Sequence, residues 1–468
     1  MSPSRAPSDH DPPRHPRNAF LAVLGAAVLT LIAPLALIAS GHNAGRAASD
    51  SIVYHERFIR SLAEDWPRFD LSDPLTATTP GYHIALATLD TIGLGSITIL
   101  RLGSAAIGVA LAIVLASWIA RRARPLDAVL LAAPLGASIY VIGPSAWLLP
   151  DNLAWLGVLL VLIACVREPR SWRPIALASA ALAGLVFTRQ IHLWAAAPVW
   201  IAAWMGVART EPMLFDRVPA RLTRGGVALL LTLPAFAIVA WFVHLWQGPT
   251  PPRFQQDIGG VNPATPAFIL LQVPILMIGF GPWLFPAFIR ALRDHPRTIL
   301  LSAGIGLALA LLPITTENPD AGRYSGWWML AGKAPVLFGR TGVVFVVLAP
   351  LGAMLLCGAL LGVTRRTGWV LLGSLVAFAV AQSATINSWQ RYHEPFLIIL
   401  LAMLAASQPA DLRATPFARL RIPGMLALCA ILAAISFDGF RGDPVAPGTT
   451  PPPIHSQPTD PWFQPEAP

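Results

Sequence analysis

The residues with the greatest chemical capacity sit in one polar stretch, Tyr54 to Tyr82, which reads "YHERFIRSLAEDWPRFDLSDPLTATTPGY". It carries the carboxylates of Glu56, Glu64, Asp65, Asp70 and Asp73, the guanidiniums of Arg57, Arg60 and Arg68, and the imidazole of His55. A carboxylate here can take a proton from an attacking hydroxyl. Other ionisable residues stand alone, each where an apolar run ends: Asp151 in "LLPDNLAW", Arg189 and Gln190 in "FTRQIHLW", Asp320, Arg323 and Tyr324 in "DAGRYSGWW", Arg391 and Tyr392 in "WQRYHEPF". Guanidiniums at such positions can hold phosphate oxygens by charge-assisted hydrogen bonds. Each feature also has a structural reading. The polar stretch can be a solvated loop, Asp151 a helix cap, Arg189 the mark of a turn, and Trp327 and Trp328 part of an interfacial aromatic belt.

The elements that position these groups are hydrophobic. Of 468 residues, 55% are hydrophobic and 12% charged, against about a quarter charged in soluble domains. Runs long enough to approach the roughly 20 apolar residues of a membrane-crossing helix recur along the chain. The expected fold is therefore all-α, a polytopic bundle of about thirteen spans. These fall near residues 18–40, 98–119, 125–143, 151–166, 174–188, 191–207, 225–247, 266–289, 298–315, 341–363, 368–386, 395–408 and 422–437. The organisation is a Pro/Arg-rich tail (1–17), a transmembrane domain (18–437) whose first external loop (41–97) carries interfacial segments, and a Pro-rich tail (438–468).

Orientation follows from arginine. If the apolar piece Gly81 to Gly95 does not cross, the arginine-rich connections all fall on one side, and the positive-inside rule makes that side cytoplasmic. These connections contain Arg121, Arg122 and Arg124; Arg167, Arg170 and Arg173; Arg209, Arg217, Arg221 and Arg224; Arg290, Arg293 and Arg297; Arg365 and Arg366; Arg413, Arg419 and Arg421. The N-terminus is then cytoplasmic and the candidate residues face the extracytoplasmic side, as in a bacterial inner-membrane protein. The formal charge of +9 is spread over these connections and forms no basic face for nucleic acid. Within the insert, Phe58, Ile59, Leu62 and Trp66 have helical spacing, which would seat the segment on the membrane surface.

Cys165, Cys357 and Cys429 lie inside apolar runs and read as small buried hydrophobes. His42, His55, His83, His192, His393 and His455 are dispersed, so no metal or other cofactor is called for by spacing. No glycine-rich phosphate loop on a strand and helix is present. One acidic loop and several isolated arginines at the outer mouth of a helix bundle suit a lipid-phosphate substrate.

In order along the chain, these motifs resemble those of the GT-C superfamily of polytopic glycosyltransferases. The nearest likeness within it is to the dolichol-phosphoglucose-dependent alpha-1,2-glucosyltransferases. "YHERF" is similar to that family's Asp-Glu pair and following phenylalanine, with His55 in place of the aspartate and Glu56 retained. "SDPLTATTPGYH" resembles its Trp-Asp-Pro and Thr-Thr-Pro-Pro-Gly stretch, "FTRQIH" its Phe-Arg-Gln, "DAGRYSGWW" its Asp-Asn-Arg-His-Tyr, and "RYHEPF" its late Arg-Tyr-Pro. The resemblance implies a glycosyltransferase that moves a hexose from a polyprenyl-phosphate sugar to a hydroxyl of a glycan, lipid or protein acceptor, with inversion. It implies Glu56 as general base, with His55 and Asp73 beside it as catalytic candidates. Asp151, Arg189, Gln190, Asp320, Arg323, Tyr324, Arg391 and Tyr392 become substrate-binding candidates. The rival readings are a lipid-linked sugar flippase or transporter, and a non-catalytic envelope assembly protein.

Overall fold

The computed structural model describes residues 16–167, 171–207, 217–255, 259–413, 416–441 and 444. Most of both expected tails, with Arg5, Arg14, Arg170, Arg209 and His455, lies outside the described residues. The chain folds as an all-α polytopic bundle and is a multi-pass integral membrane protein. Its only described sheet is a two-stranded hairpin, β1 (Val336–Leu337) and β2 (Thr341–Gly342).

Each expected span corresponds to a helix or to a pair of helices. In chain order the helices are α1 (Pro16–Ala39), α2 (Arg46–Asp50), α3 (Glu56–Glu64), α4 (Gly81–Leu89), α5 (Ile97–Ala120), α6 (Pro125–Ala137), α7 (Ile139–Ala146), α8 (Asp151–Val166), α9 (Arg173–Thr188) and α10 (Ala196–Met205). They continue with α11 (Val218–Trp246), α12 (Thr265–Asp294), α13 (Pro296–Leu311), α14 (Trp327–Gly332), α15 (Val343–Leu361), α16 (Arg365–Ser383), α17 (Gln390–Ser407), α18 (Ala410–Arg413) and α19 (Arg421–Gly439). Six of these are long and apolar enough to cross a bilayer: α1, α5, α11, α12, α15 and the helical stretch ending in α19. The segment expected as one span at 125–143 is instead α6 and α7, bent by 69°. The break falls at Ser138, whose hydroxyl accepts from Tyr140 N–H and donates to the Glu394 carboxylate. A polar side chain inside the bundle thus satisfies backbone that the broken helix frees.

At the centre is α17, buried on every side from His393 to Ala406, as an all-round apolar sequence requires. Next to it α12 packs against α13, α15, α17 and α19. Small residues allow the close crossings, since lipid tails supply no hydrophobic drive between helices. At Gly352 of α15, an added Cβ would meet the Leu270 carbonyl oxygen of α12 at 2.0 Å.

Hydrogen bonds join the arginine-rich connections to one another at one end of the bundle. Arg413 reaches the Arg122 carbonyl, Arg366 the Cys165 and Arg167 carbonyls, Arg421 the Asp127 carboxylate, and Arg290 pairs with Asp411. The candidate site residues belong to the connections at the other end. Between α4 and α5, a π-helical turn (Asp90–Leu94) lengthens α4 to about 20 Å at 1.5 Å per residue, well under the roughly 30 Å of hydrocarbon. Its far end is tied to α3 by Arg60, which donates to Asp90 and to the Gly95 carbonyl. The apolar face of α3, Phe58, Ile59 and Leu62, packs against Tyr82, Leu86, Leu100 and Leu148. That face is covered by protein, and Trp66 lies beyond the helix and is exposed.

Overpacking a tight crossing costs about 1–3 kcal/mol. Gly352→Ala is expected to lower the melting temperature in detergent, whereas Gly184→Ala, which meets nothing within 4 Å, is expected to leave it unchanged or raised. Thermal unfolding of the two variants side by side checks this.

Candidate active site

The chain leaving α1 turns back at Gly45 into α2, and a π-helical turn (Ser51–His55) carries it on into α3. Arg46, Asp50 and Tyr54 recur at intervals of four, so they share one face of this helical run. All three line a cavity of about 1430 Å³. Glu56 follows Tyr54 by two positions, about 200° further round the helix, and is not part of the lining. Its carboxylate instead lies 3.6 Å from Arg60, in the cluster that ties α3 to α4.

Arginines from two other segments complete the polar head of the cavity. Arg391, in the first turn of α17, donates to Asp50 at 2.7 Å. Arg189, in the extended link between α9 and the 3-10 turn Gln190–Ala195, donates to Asp151 at the first turn of α8. Aromatic faces seat the guanidiniums: Arg46 lies 4.4 Å from the Trp389 ring centroid, Arg391 5.1 Å and Arg189 5.3 Å from that of Tyr392. Cations held this way keep outward N–H groups for a ligand. Within the head three guanidiniums meet two carboxylates, Asp50 and Asp151, an excess of one positive charge, while a third carboxylate, Asp320, lines the exposed rim. The structure therefore favours an anion there.

The rim comes from loops. Gln190 accepts from Thr79 N–H and donates to the Ala77 and Pro249 carbonyls, fixing Thr76 to Thr78 along one wall. Tyr324 lines the cavity and accepts from Arg46 at 3.4 Å, while exposed Asp320 sits on the 3-10 turn Pro319–Ala321. The loop bearing Asp320 and Tyr324 is fastened through Gln390, whose amide oxygen accepts from Trp327 N–H and whose amide nitrogen donates to buried Glu394.

Several expected site residues serve as ties. Arg323 is buried outside the lining, donating to the Thr316 carbonyl. Asp73 makes a two-point ion pair with Arg253, at 3.0 and 2.6 Å, that joins the insert to the loop after α11. Trp328 is fully buried and stacked on Phe268 at 4.4 Å, a core residue where the sequence suggested an aromatic belt. His55 does line the cavity, its Nδ1 2.8 Å from Nε2 of His83. Burial lowers its pKa to about 4 against the opposing Asp50 charge, and burial holds His83 well below its ordinary value too. Among the described residues no group of three or more His, Cys, Asp or Glu could hold a metal ion.

Below the polar head the cavity becomes apolar, walled by Trp194 and Trp200, by Phe236, Val239 and Val243 of α11, and by Ala377, Val380 and Ala381 of α16. Phe236 lies ten residues from the Trp246 end of α11, about 15 Å along the helix. Packed against α10 on either side are α11 and α16. Val243 and Val380 line the cavity and are 40% and 67% exposed, so the apolar part is not sealed off by protein.

A histidine held neutral in the fold, with a pKa near 4 against 6.5 unfolded, leaves the unfolded chain to bind the extra proton between those values. Stability therefore falls as pH drops through that window, on the order of 3 kcal/mol for His55. Unfolding measured from pH 7 to pH 4 is expected to show this decline, and His55→Gln is expected to make it shallower, leaving the share that His83 contributes.

No protein-family model matches the chain, and no curated protein sequence matches it. Two crystal structures of ArnT from Cupriavidus metallidurans are similar to it, one in the apo state and one bound to undecaprenyl phosphate. Each shares 16% sequence identity; they cover 91% and 90% of this chain and 76% and 77% of their own, with TM-scores of 0.37 and 0.36. Superpositions this loose carry no argument about the reaction.

Proposed function

We propose that this protein is a membrane glycosyltransferase that transfers a hexose from a polyprenyl-phosphate sugar to an acceptor hydroxyl, at the extracytoplasmic end of the bundle. The observation that carries the reading is the continuity of the cavity, from a head lined by Arg46, Arg189 and Arg391 to an apolar part walled by α11 and α16. A lipid phosphate has this same division into an anionic head and a hydrocarbon chain. Placing the arginine-rich end in the cytoplasm, as the positive-inside rule requires, puts the cavity outside.

In this mechanism the acceptor oxygen attacks the anomeric carbon while the bond from that carbon to the phosphate oxygen breaks. The leaving polyprenyl phosphate takes the electron pair, and the three guanidiniums stabilise its growing charge. The acceptor oxygen approaches opposite the leaving group, which gives inversion, and its proton passes to a carboxylate at the polar head. Asp50 is the base we assign, because it lines the head among the arginines, whereas Asp320 lies on the exposed rim. Glu56 and Asp73 hold the insert in place, and His55 packs neutral behind Asp50. Asp151 fixes Arg189, Tyr392 seats two guanidiniums, and Gln190 and Tyr324 shape the sugar and acceptor side.

Radiolabelled transfer from a panel of polyprenyl-phosphate sugars, in membranes carrying the protein, tests the assignment. Asp50→Asn is expected to lower transfer about a hundredfold or more, with lipid-phosphate binding retained. Glu56→Gln is expected to keep transfer within a few-fold, since its partly exposed pair with Arg60 contributes about 0–1 kcal/mol to folding. The reverse ranking would return the base role to Glu56. Binding without transfer from any donor would favour the transporter reading.

A further inference from the structure

We infer that the hairpin formed by β1 and β2 is a membrane anchor that seats in the outer leaflet interface beside α13. Its tip is Phe338, 88% exposed, with a φ of 53° followed by Gly339 at 66°. Phe338 and Gly339 are the central residues of the turn that Arg340 N–H closes on the Leu337 carbonyl; two successive positive φ values are where Asn and Gly are favoured, and a bulky aromatic at the first position is an outlier. A large apolar side chain is thus kept at the outermost point of the loop, at a conformational cost.

The neighbours identify what covers it. The hairpin is stapled to the end of the apolar helix α13: Arg340 donates to the Leu312 carbonyl, Thr315 N–H donates to the Arg340 carbonyl, and α15 starts at Val343 directly after β2. Leu312 is 74% exposed and continues the outward apolar surface of α13, a helix at the bundle's edge. Met329, Val336, Leu337 and Phe338, in the segment that follows, are exposed as well. Because α13 meets lipid there, the same leaflet reaches the hairpin. Lys333 and Arg340 flank the patch, the arrangement in which cationic heads stay at headgroup level while an aromatic enters the acyl boundary. The anchor is joined through α14 to the loop that carries Asp320 and Tyr324, so leaflet contact also holds one side of the cavity rim. The inference does not depend on the reaction assigned to the cavity.

The test places an environment-sensitive fluorophore on Phe338→Cys, in a chain with Cys165, Cys357 and Cys429 replaced by alanine, reconstituted in nanodiscs of phosphatidylcholine and phosphatidylglycerol. Met329→Cys serves as a second labelling site on the same patch, and Ser72→Cys as an aqueous control. Lipids bearing a nitroxide near the headgroup end of the acyl chain are expected to quench the Phe338 and Met329 probes at least twofold more than the Ser72 probe, with a blue-shifted emission. Equal quenching of all three by aqueous iodide would overturn the anchor. Disulfide-linked pairs of Phe338→Cys chains in nanodiscs would also overturn it, by showing that a second copy covers the patch.

Discussion

Everything at the candidate site depends on keeping guanidiniums in a poorly solvated place. Arg189 and Arg391 are bound to Asp151 and Asp50, and these two ion pairs bring together segments far apart in the sequence, the second spanning 341 residues. An unpaired charge in such a position is costly: for the buried Arg189–Asp151 pair, removing one partner typically costs about 3–5 kcal/mol, and for the partly exposed Arg391–Asp50 pair less. The pairs therefore fix where α2 ends and where α8 and α17 begin relative to the link after α9. They also leave Arg46 as surplus positive charge, so the constraint that closes the outer end of the bundle also prepares it for an anion.

The rest of the architecture supports that head without adding charge to it. Central α17 supplies Arg391 and Tyr392 at its first turn and Glu394 one turn below, where the carboxylate is satisfied by Ser138 and Gln390. The bend between α6 and α7 brings Ser138 to that position. Through Gln390 the same network reaches Trp327 N–H, and so sets the loop that bears Tyr324. The insert works similarly at the periphery. Arg60 with Glu56 and Asp90, and Arg253 with Asp73, hold its two halves, leaving the face of Arg46, Asp50 and Tyr54 free to line the cavity.

Much of this was legible in the sequence. Apolar runs marked the helices, and among the described residues six of the thirteen expected spans are single helices long and apolar enough to cross a bilayer, a length that bilayer thickness imposes whatever the packing. Isolated polar residues at span ends identified Asp151, Arg189, Gln190, Tyr324, Arg391 and Tyr392, since charge at such depth is expensive without a role. Arg46 and Asp50 escaped notice because "GRAASD" is short and sits among small residues, although their spacing of four was a usable signal. Tyr54 opened the polar stretch, but its side chain belongs to their face. Glu56 stood out by charge and by resemblance, while helical phase turns it away from the cavity. The bend at Ser138 and the covered face of α3 depend on contacts with distant segments, which periodicity does not record.

The central claim is that one cavity recognises a phosphate and a polyprenyl chain together. Its most direct measurement is equilibrium binding in nanodiscs of a polyprenyl phosphate and of the corresponding uncharged polyprenol, to the wild-type chain and to Arg391→Gln. The account predicts at least tenfold tighter binding of the phosphate by the wild-type chain, with most of that difference lost in the variant. Equal affinity for the two lipids, or a preference untouched by Arg391→Gln, would contradict it.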